Sequence, residues 1–418
     1  MGKALMIAAT AVATAANGDE MNLFGYIADT TAEANAQASC TEGADFTNLR
    51  VNIISGGSGD NTFQFRDAGA NGQNVITRTG TGTVEDTTHT DSLIAADLFN
   101  IAYTDTGTDS TISWLAANVT FASGHGNFHG CATFSGSVHD VTASTRFIGL
   151  AGNLGSDGQD TEDNIEWKVR GYDSFEALQV RVTANARVNN SDFKNRINGG
   201  DGTGLCQFAS GATGLISDTG LGDAITDGQT VNVSITLDTG VQDLTVSFVT
   251  GTLKSTTSKS ETFVSQQGGL ARTASATAHY FPIGGNCSSL TAFTEAQARC
   301  KPGFAAVVSN LRCYLSANTY TGDGTLKLYQ NGVAVITTTI TASGGAAWYE
   351  NAVNTVTIDA DDELSFEIDE GTSGSITMRA VGITFAPVSA GGPALPPFSY
   401  GDLSGIGSSG RFRKDRLN

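Results

Sequence analysis

The chain has 418 residues, with 23 Lys+Arg against 42 Asp+Glu for a formal charge of −19, and 51 glycines. So acidic a body repels phosphate backbones, which excludes nucleic-acid binding across its surface, and 39% hydrophobic residues exclude a disordered acidic chain. Few charged residues (16%) and abundant Gly, Thr, Ser and Asn exclude a helical protein and point to an all-β one.

In chain order, Lys3, the apolar run Ala4–Ala9 and the small triplet Ala11-Val12-Ala13 have the outline of a secretory signal. We read residues 1–20 instead as a retained N-terminal arm, helical and too short to cross a bilayer, with Lys3, Leu5 and Ile7 as docking side chains. A β-sandwich module spans 21–123, followed by a connector at 124–144 whose alternation from Phe128 to Val141 admits an extra hairpin. Module 2 spans 145–254, a second connector 255–277 and module 3 278–388. A Gly/Pro-rich tail, 389–418, ends in Arg411, Phe412, Arg413, Lys414, Asp415 and Arg416, a local charge of +3 that serves as a docking element.

The modules are copies of one unit. Asn-Gly, a strong hairpin signal because both residues adopt positive φ cheaply, occurs at Asn71-Gly72, Asn198-Gly199 and Asn331-Gly332. Leu49, Leu178 and Leu311 precede these by 22, 20 and 20 residues, and Asp105, Asp238 and Asp369 follow them before turn glycines Gly107, Gly240 and Gly371. Each copy is long enough for about eight antiparallel strands in two sheets with its own core. A jelly roll is the first expectation and an immunoglobulin-like sandwich the second, since the Cys…Trp…Cys spacing of the latter is missing.

No catalytic constellation stands out, and the chain is read as non-enzymatic with no cofactor. Asp105-Thr106-Gly107 and Asp238-Thr239-Gly240 resemble paired protease aspartates, but their separation is the module period and Asp369-Glu370-Gly371 takes the third place, so they read as turns. His125, His129, Cys131 and His139 carry metal-competent donors, with an exposed polar connector as the alternative. The acidic loop from Asp157 to Asp163 and the trio Asp359, Asp361 and Asp362 are candidate Ca²⁺ donors or plain surface carboxylates. Six cysteines allow fifteen full pairings. Cys40 and Cys300 occupy equivalent places, and Cys287–Cys300 is a candidate disulfide, the alternative being buried thiols.

Module 3 carries Asn310-Leu311-Arg312, then Gly324-Thr325-Leu326-Lys327-Leu328 leading into Asn331-Gly332, then Asn354-Thr355-Val356-Thr357-Ile358 and Asp361-Asp362-Glu363-Leu364-Ser365. On these segments the chain resembles the tandem jelly-roll virion proteins of tailed bacteriophages, of the head-decoration, head-fibre or tail-fibre type, over roughly 21–388. Modules 1 and 2 depart from the pattern, with a longer loop before Asn71 and a Gly/Asp-rich insertion at 199–204. The resemblance implies a virion location, a homotrimer and contacts with other capsid or tail proteins, without nucleic acid or membrane. The alternative is a cell-surface or filament-forming adhesin that binds host glycans through Trp114, Trp167 or Trp348, side chains that otherwise belong to core or interface.

Overall fold

Stretches that alternate apolar and polar side chains bury one face and leave the other to a neighbour or to water. In the computed structural model they form antiparallel strands; it describes residues 3–23, 33–56, 58–123, 126–132, 137–138, 144–151, 161–237, 243–273, 278–286, 293–369 and 371–388. The first eight principal strands are β1 (Ala4–Ala15), β2 (Glu20–Met21), β3 (Ala44–Ser55), β4 (Asp60–Asp67), β5 (Ala70–Thr79), β6 (Gly82–Leu93), β7 (Leu98–Asp105) and β8 (Ser110–Phe121). They pair in the orders β1-β8-β3-β6 and β2-β7-β4-β5, two sheets facing each other across one core.

The same order recurs twice. The second set is β9 (Gly126–Ala132), β10 (Ser144–Ile148), β11 (Ser174–Asn185), β12 (Ser191–Ile197), β13 (Gly200–Phe208), β14 (Gly214–Asp218), β15 (Thr230–Leu237) and β16 (Leu244–Lys254). The third is β17 (Ser260–Thr273), β18 (His279–Phe281), β19 (Ala306–Asn318), β20 (Gly324–Gln330), β21 (Val333–Ile340), β22 (Ala347–Asn351), β23 (Leu364–Asp369) and β24 (Ser375–Pro387). Strands eight numbers apart are therefore equivalent, and the sheet orders β9-β16-β11-β14, β10-β15-β12-β13, β17-β24-β19-β22 and β18-β23-β20-β21 repeat the first pair. The chain crosses between sheets at every step except the hairpin from the fourth strand to the fifth, which is the jelly-roll winding.

Three sequence expectations are corrected. Residues 4–15 are a strand rather than a helix: β1 pairs with β8 from Ala4↔Val119 to Ala15↔Ser110 and belongs to module 1. The two connectors likewise contain first strands, β9 pairing with β16 and β17 with β24, so each module begins earlier than its landmarks show. Alternation is absent from β1 and from the start of β17 because Ala4–Ala8 and Ser260–Val264 are buried on both faces, and the period-two signal needs one wet face. The hairpin turns of modules 2 and 3 are Asn198-Gly199 (φ 51 and 76) and Asn331-Gly332 (φ 52 and 82), but in module 1 the turn is Ala68-Gly69 (φ 46 and 86). Asn71-Gly72 lies inside β5, where Arg66 donates to Asn71 Oδ1 (2.6 Å) and the Asp91 carboxylate fills the space a Gly72 side chain would need.

The connection between the second and third strands of each module carries a short helical turn: α1 (Glu33–Ala36), the 3-10 turn Glu162–Asn164, and α2 (Glu295–Ala298). α2 is closed by a capping box between Thr294 and Gln297. No helix among the described residues is long and apolar enough to cross a membrane.

Candidate functional site

In the third strand of each module, Leu49/Val51/Ile53, Leu178/Val180/Val182 and Leu311/Cys313/Leu315 fill the module's own core. The residues between them point the other way, and Arg50, Asn52, Gln179, Arg312 and Tyr314 are buried too, with Arg181 half-buried, because that face is covered by the segment following the helical turn of another module. Three seams result. Arg50, Asn52 and Asn118 of module 1 meet Gln297–Gly303 of module 3; Arg312 and Thr384 of module 3 meet Lys168–Tyr172 of module 2; Gln179, Arg181 and Thr252 of module 2 meet Gln37–Thr41 of module 1. The modules close in a ring with equivalent faces used in cyclic order. At its centre Asn127 on β9 donates to the carbonyls of Leu5 on β1 (3.3 Å) and Glu261 on β17 (3.4 Å).

The seams differ in chemistry. Between modules 1 and 3, Leu5, Ile7 and Trp114 join the module 3 core, and Trp114 Nε1 donates to the Arg299 carbonyl at 2.8 Å. Arg50 is fully buried there; its Nη2 donates to Asn118 Oδ1 (2.9 Å), while Nε and Nη1 have no hydrogen-bond partner among the described residues. Burial lowers its pKa.

Between modules 3 and 2, Arg312 and Glu261 form an ion pair at 2.8 Å with both side chains 0% exposed. Arg312 Nε also donates to the Lys168 carbonyl (2.7 Å), and Glu261 Oε1 accepts from Arg170 N (2.9 Å) and Thr384 Oγ1 (2.8 Å). Burial pushes the Glu261 carboxyl up against the opposing pull of Arg312. Nearby, Arg170 and Lys168 hold Glu350 at 2.6 and 3.0 Å; burial raises that carboxyl, but their hydrogen bonds outweigh it and its pKa lies below the usual value. Trp167 stacks on Phe263 with centroids 4.3 Å apart. The seam between modules 2 and 1 is polar, with Thr41–Thr252 at 2.7 Å, Gln179–Ser39 at 3.3 Å and a half-buried ion pair between Lys254 and Glu42 at 3.3 Å.

A second recurring device locks each hairpin to its helical turn. Arg66 pairs with Glu33 (3.1 Å) and donates to the Gly69 carbonyl; Arg196 pairs with Glu162 (2.5 Å) and donates to the Gly199 carbonyl. In module 3 Arg299 takes this role, holding Glu295 at 3.0 Å beside Gly332. The three glutamates each stand sixteen residues before the landmark leucine, a spacing present in the sequence and as regular as that of the leucines themselves.

The predicted site residues fall as follows. Lys3 is exposed, but Leu5 and Ile7 are 2% and 7% exposed inside the chain's own seam, so they are not external docking side chains. Arg411, Phe412, Arg413, Lys414 and Arg416 lie outside the described residues, as do His125, His139 and Cys287; Cys131 lies on β9. His129 is a core histidine: Tyr172 OH accepts from Glu261 N (2.9 Å) and shares a hydrogen bond with His129 Nε2 at 2.6 Å. Burial, with a smaller contribution from Arg312, lowers the His129 pKa to about 3, so the ring is neutral. No group of three metal-competent side chains occurs among the described residues.

Cys300 is a free, buried thiol rather than half of a bridge, in common with Cys40, Cys206 and Cys313. Asp105 closes its own turn by accepting from Gly107 N (3.0 Å), and Asp362 accepts from Asp359 N (2.7 Å), so both act as turn carboxylates. Glu162, in the acidic loop, is committed to Arg196. Trp114 and Trp167 are fully buried in seams, which takes them out of any glycan surface.

No family model matches the chain, and no curated protein does. Among solved structures it is similar to that of Sulfolobus turreted icosahedral virus, at 12% identity over 83% of this chain and 80% of that one with a TM-score of 0.19. It is also similar to the insecticidal delta-endotoxin Cry8Ea1 of Bacillus thuringiensis (9%, 60% and 61%, TM-score 0.19). A third is the major capsid protein P2 of bacteriophage PM2 (8%, 64% and 99%, TM-score 0.17).

Proposed function

We propose that the protein is a non-enzymatic structural component of a virion, a capsid, decoration or fibre subunit that acts by self-assembly and docking. The observation that carries this reading is the ring. One chain uses three equivalent faces on one another, and buried side chains such as Trp114, Trp167, Arg312 and Glu261 lie in the seams. Such a body presents a pseudo-threefold outline from a single chain, the kind of unit that packs into a shell or caps an appendage. The threefold arrangement expected between chains is thus met within one, and a homo-oligomer would join such bodies through outer edges and the basic tail, Arg411–Arg416.

The test is incorporation. Particles banded on a density gradient from an infected culture should contain the full-length chain, and deletion of 389–418 should abolish it from the band. A chain that stays in the soluble fraction while particles of normal composition form would overturn the reading.

A further inference from the structure

The outer sheets end in β5, β13 and β21, and an edge strand offers outward N–H and C=O groups to any passing strand. Modules 1 and 2 close this edge with a carboxylate. Val75 N donates to Asp86 Oδ2 (3.0 Å), and Leu205 N donates to Asp218 Oδ2 (2.9 Å). Asp86 pairs with Leu49 and Asp218 with Leu178, so both stand opposite the landmark leucine. In module 3 the residue opposite Leu311 is Asn351.

That one change reverses the cap. Asn351 Nδ2 donates to the Thr337 carbonyl (2.8 Å), and its Oδ1 is taken by Val353 N and Asn354 N (3.2 and 3.0 Å). Thr337 is the counterpart of Val75 and Leu205, since all three pair with the residue four before the hairpin turn. In an antiparallel strand the N–H and C=O of one residue point the same way, so the Thr337 N–H points outward with no acceptor against it among the described residues. β21 reads Val-Ala-Val-Ile-Thr-Thr-Thr-Ile, uncharged and rich in β-branched residues, with Val333, Thr337 and Thr339 exposed.

A second feature is also confined to module 3. The turn before its seventh strand holds Asp359, Asp361, Asp362 and Glu363, where modules 1 and 2 have one acid each, Asp97 and Asp227. Asp362 accepts from Gln330 and Asn331 side chains (both 2.6 Å), which places the turn at the start of β21. Lys301 and Arg299 neutralise part of it, at 3.8 and 3.3 Å, and the Asp361 side chain is 91% exposed. The one strongly basic segment in the sequence is Arg411–Arg416.

We propose that the open edge of β21, with the acidic turn at its entry, receives the basic C-terminal segment (411–418) of a second copy as an added strand. Main-chain bonds would supply affinity and the acidic turn the choice of partner. The contact is heterologous, edge to tail, so it propagates into rings or filaments. It rests on the assembly reading and names the surface that reading lacks.

The experiment is sedimentation of full-length chains. The wild type should exceed the 43.1 kDa of one chain at low salt and return to it in about 0.5 M NaCl, where charges are screened. Two sets of variants divide the contact: Arg411→Glu/Arg413→Glu/Lys414→Glu/Arg416→Glu removes the donor, and Thr337→Pro blocks the edge, where an outward N–H tolerates proline. Thr337→Lys/Thr339→Lys is a milder edge block should the proline disturb folding. Each variant alone should remain a single chain, and a mixture of donor-dead and edge-blocked chains should give a two-chain species. A wild type that is monomeric at every concentration, or a mixture that stays at one chain, overturns the proposal, the former also being the result if the segment docks on its own chain. Particle incorporation is read separately, so a chain that bands with particles yet fails here sinks only this proposal.

Discussion

Arg50 and Arg312 hold the same place in two modules and look alike in sequence, each following Asn-Leu. Their partners differ: Glu261 stands against Arg312, while the register puts Leu5 at the matching position beside Arg50, since Leu5 pairs with Asn118 and Glu261 with Thr384. Removing one member of a buried ion pair costs about 3–5 kcal/mol, whereas replacing a poorly satisfied buried charge by an apolar side chain is close to neutral or stabilising. Arg312→Met should therefore destabilise by about that amount in urea unfolding at pH 7, and Arg50→Met should leave the midpoint unchanged or raise it. The pH dependence gives a further check. The folded Glu261 carboxyl already lies above its ordinary value, and losing Arg312 raises it more, so the folded variant binds a proton more readily than the unfolded chain. The Arg312→Met penalty should be largest at neutral pH and shrink as pH falls through the folded pKa; a penalty independent of pH would remove Glu261 from the explanation. The sequence showed which leucines face the core, because alternation is local. It did not distinguish the two arginines, because the deciding residues lie 45 and 51 positions away on another strand.

At the scale of elements, the eight-strand module was legible from turn signals and spacing, and its first strand was not. β1 reads as an apolar run because β8 lies at one edge and the module 3 core covers Leu5 and Ile7, so no wet face remains to impose alternation. In β9, Asn127 and His129 are buried polar residues in what reads as a polar connector. The consequence is measurable. Deleting residues 1–16 should lower the thermal midpoint and broaden the transition, since burial of Leu5 and Ile7 alone accounts for roughly 3–6 kcal/mol, whereas an arm used only for docking would leave both unchanged. Deleting 389–418 should leave the transition where it is, because β24 and its pairings end at Pro387. The hairpins follow the same logic: two of three Asn-Gly pairs make the turn, and the third is displaced because Asp91 and Arg66 hold it within a strand.

At the scale of the molecule, the repeat was visible in the sequence but the ring was not, since cyclic closure depends on contacts between residues more than a hundred positions apart, such as Trp114 with Arg299 and Arg312 with Lys168. The three seams also explain why the modules adopt one order. A seam with an apolar centre, one with a buried ion pair and one of polar contacts do not exchange partners without stranding Glu261 or Arg312 unpaired in a dry contact, which opposes misassembly. If the seams rather than the covalent links hold the ring, the links are dispensable once folding is complete. Modules 2 and 3 are joined through Thr256 and Thr257, which are exposed. A protease site inserted between them and cut after folding should leave two fragments on a denaturing gel and, in about 0.5 M NaCl, a native mass still that of one chain, 43.1 kDa. The nicked ring should hold together more firmly at acidic pH than above the folded Glu261 pKa, and more so than the intact one: the raised carboxyl is charged above that pKa at a desolvation cost, and only the fragments, no longer tethered, are free to leave. Separation of the fragments at neutral pH would instead show that the linkers hold the modules together and that the seams are contacts of convenience.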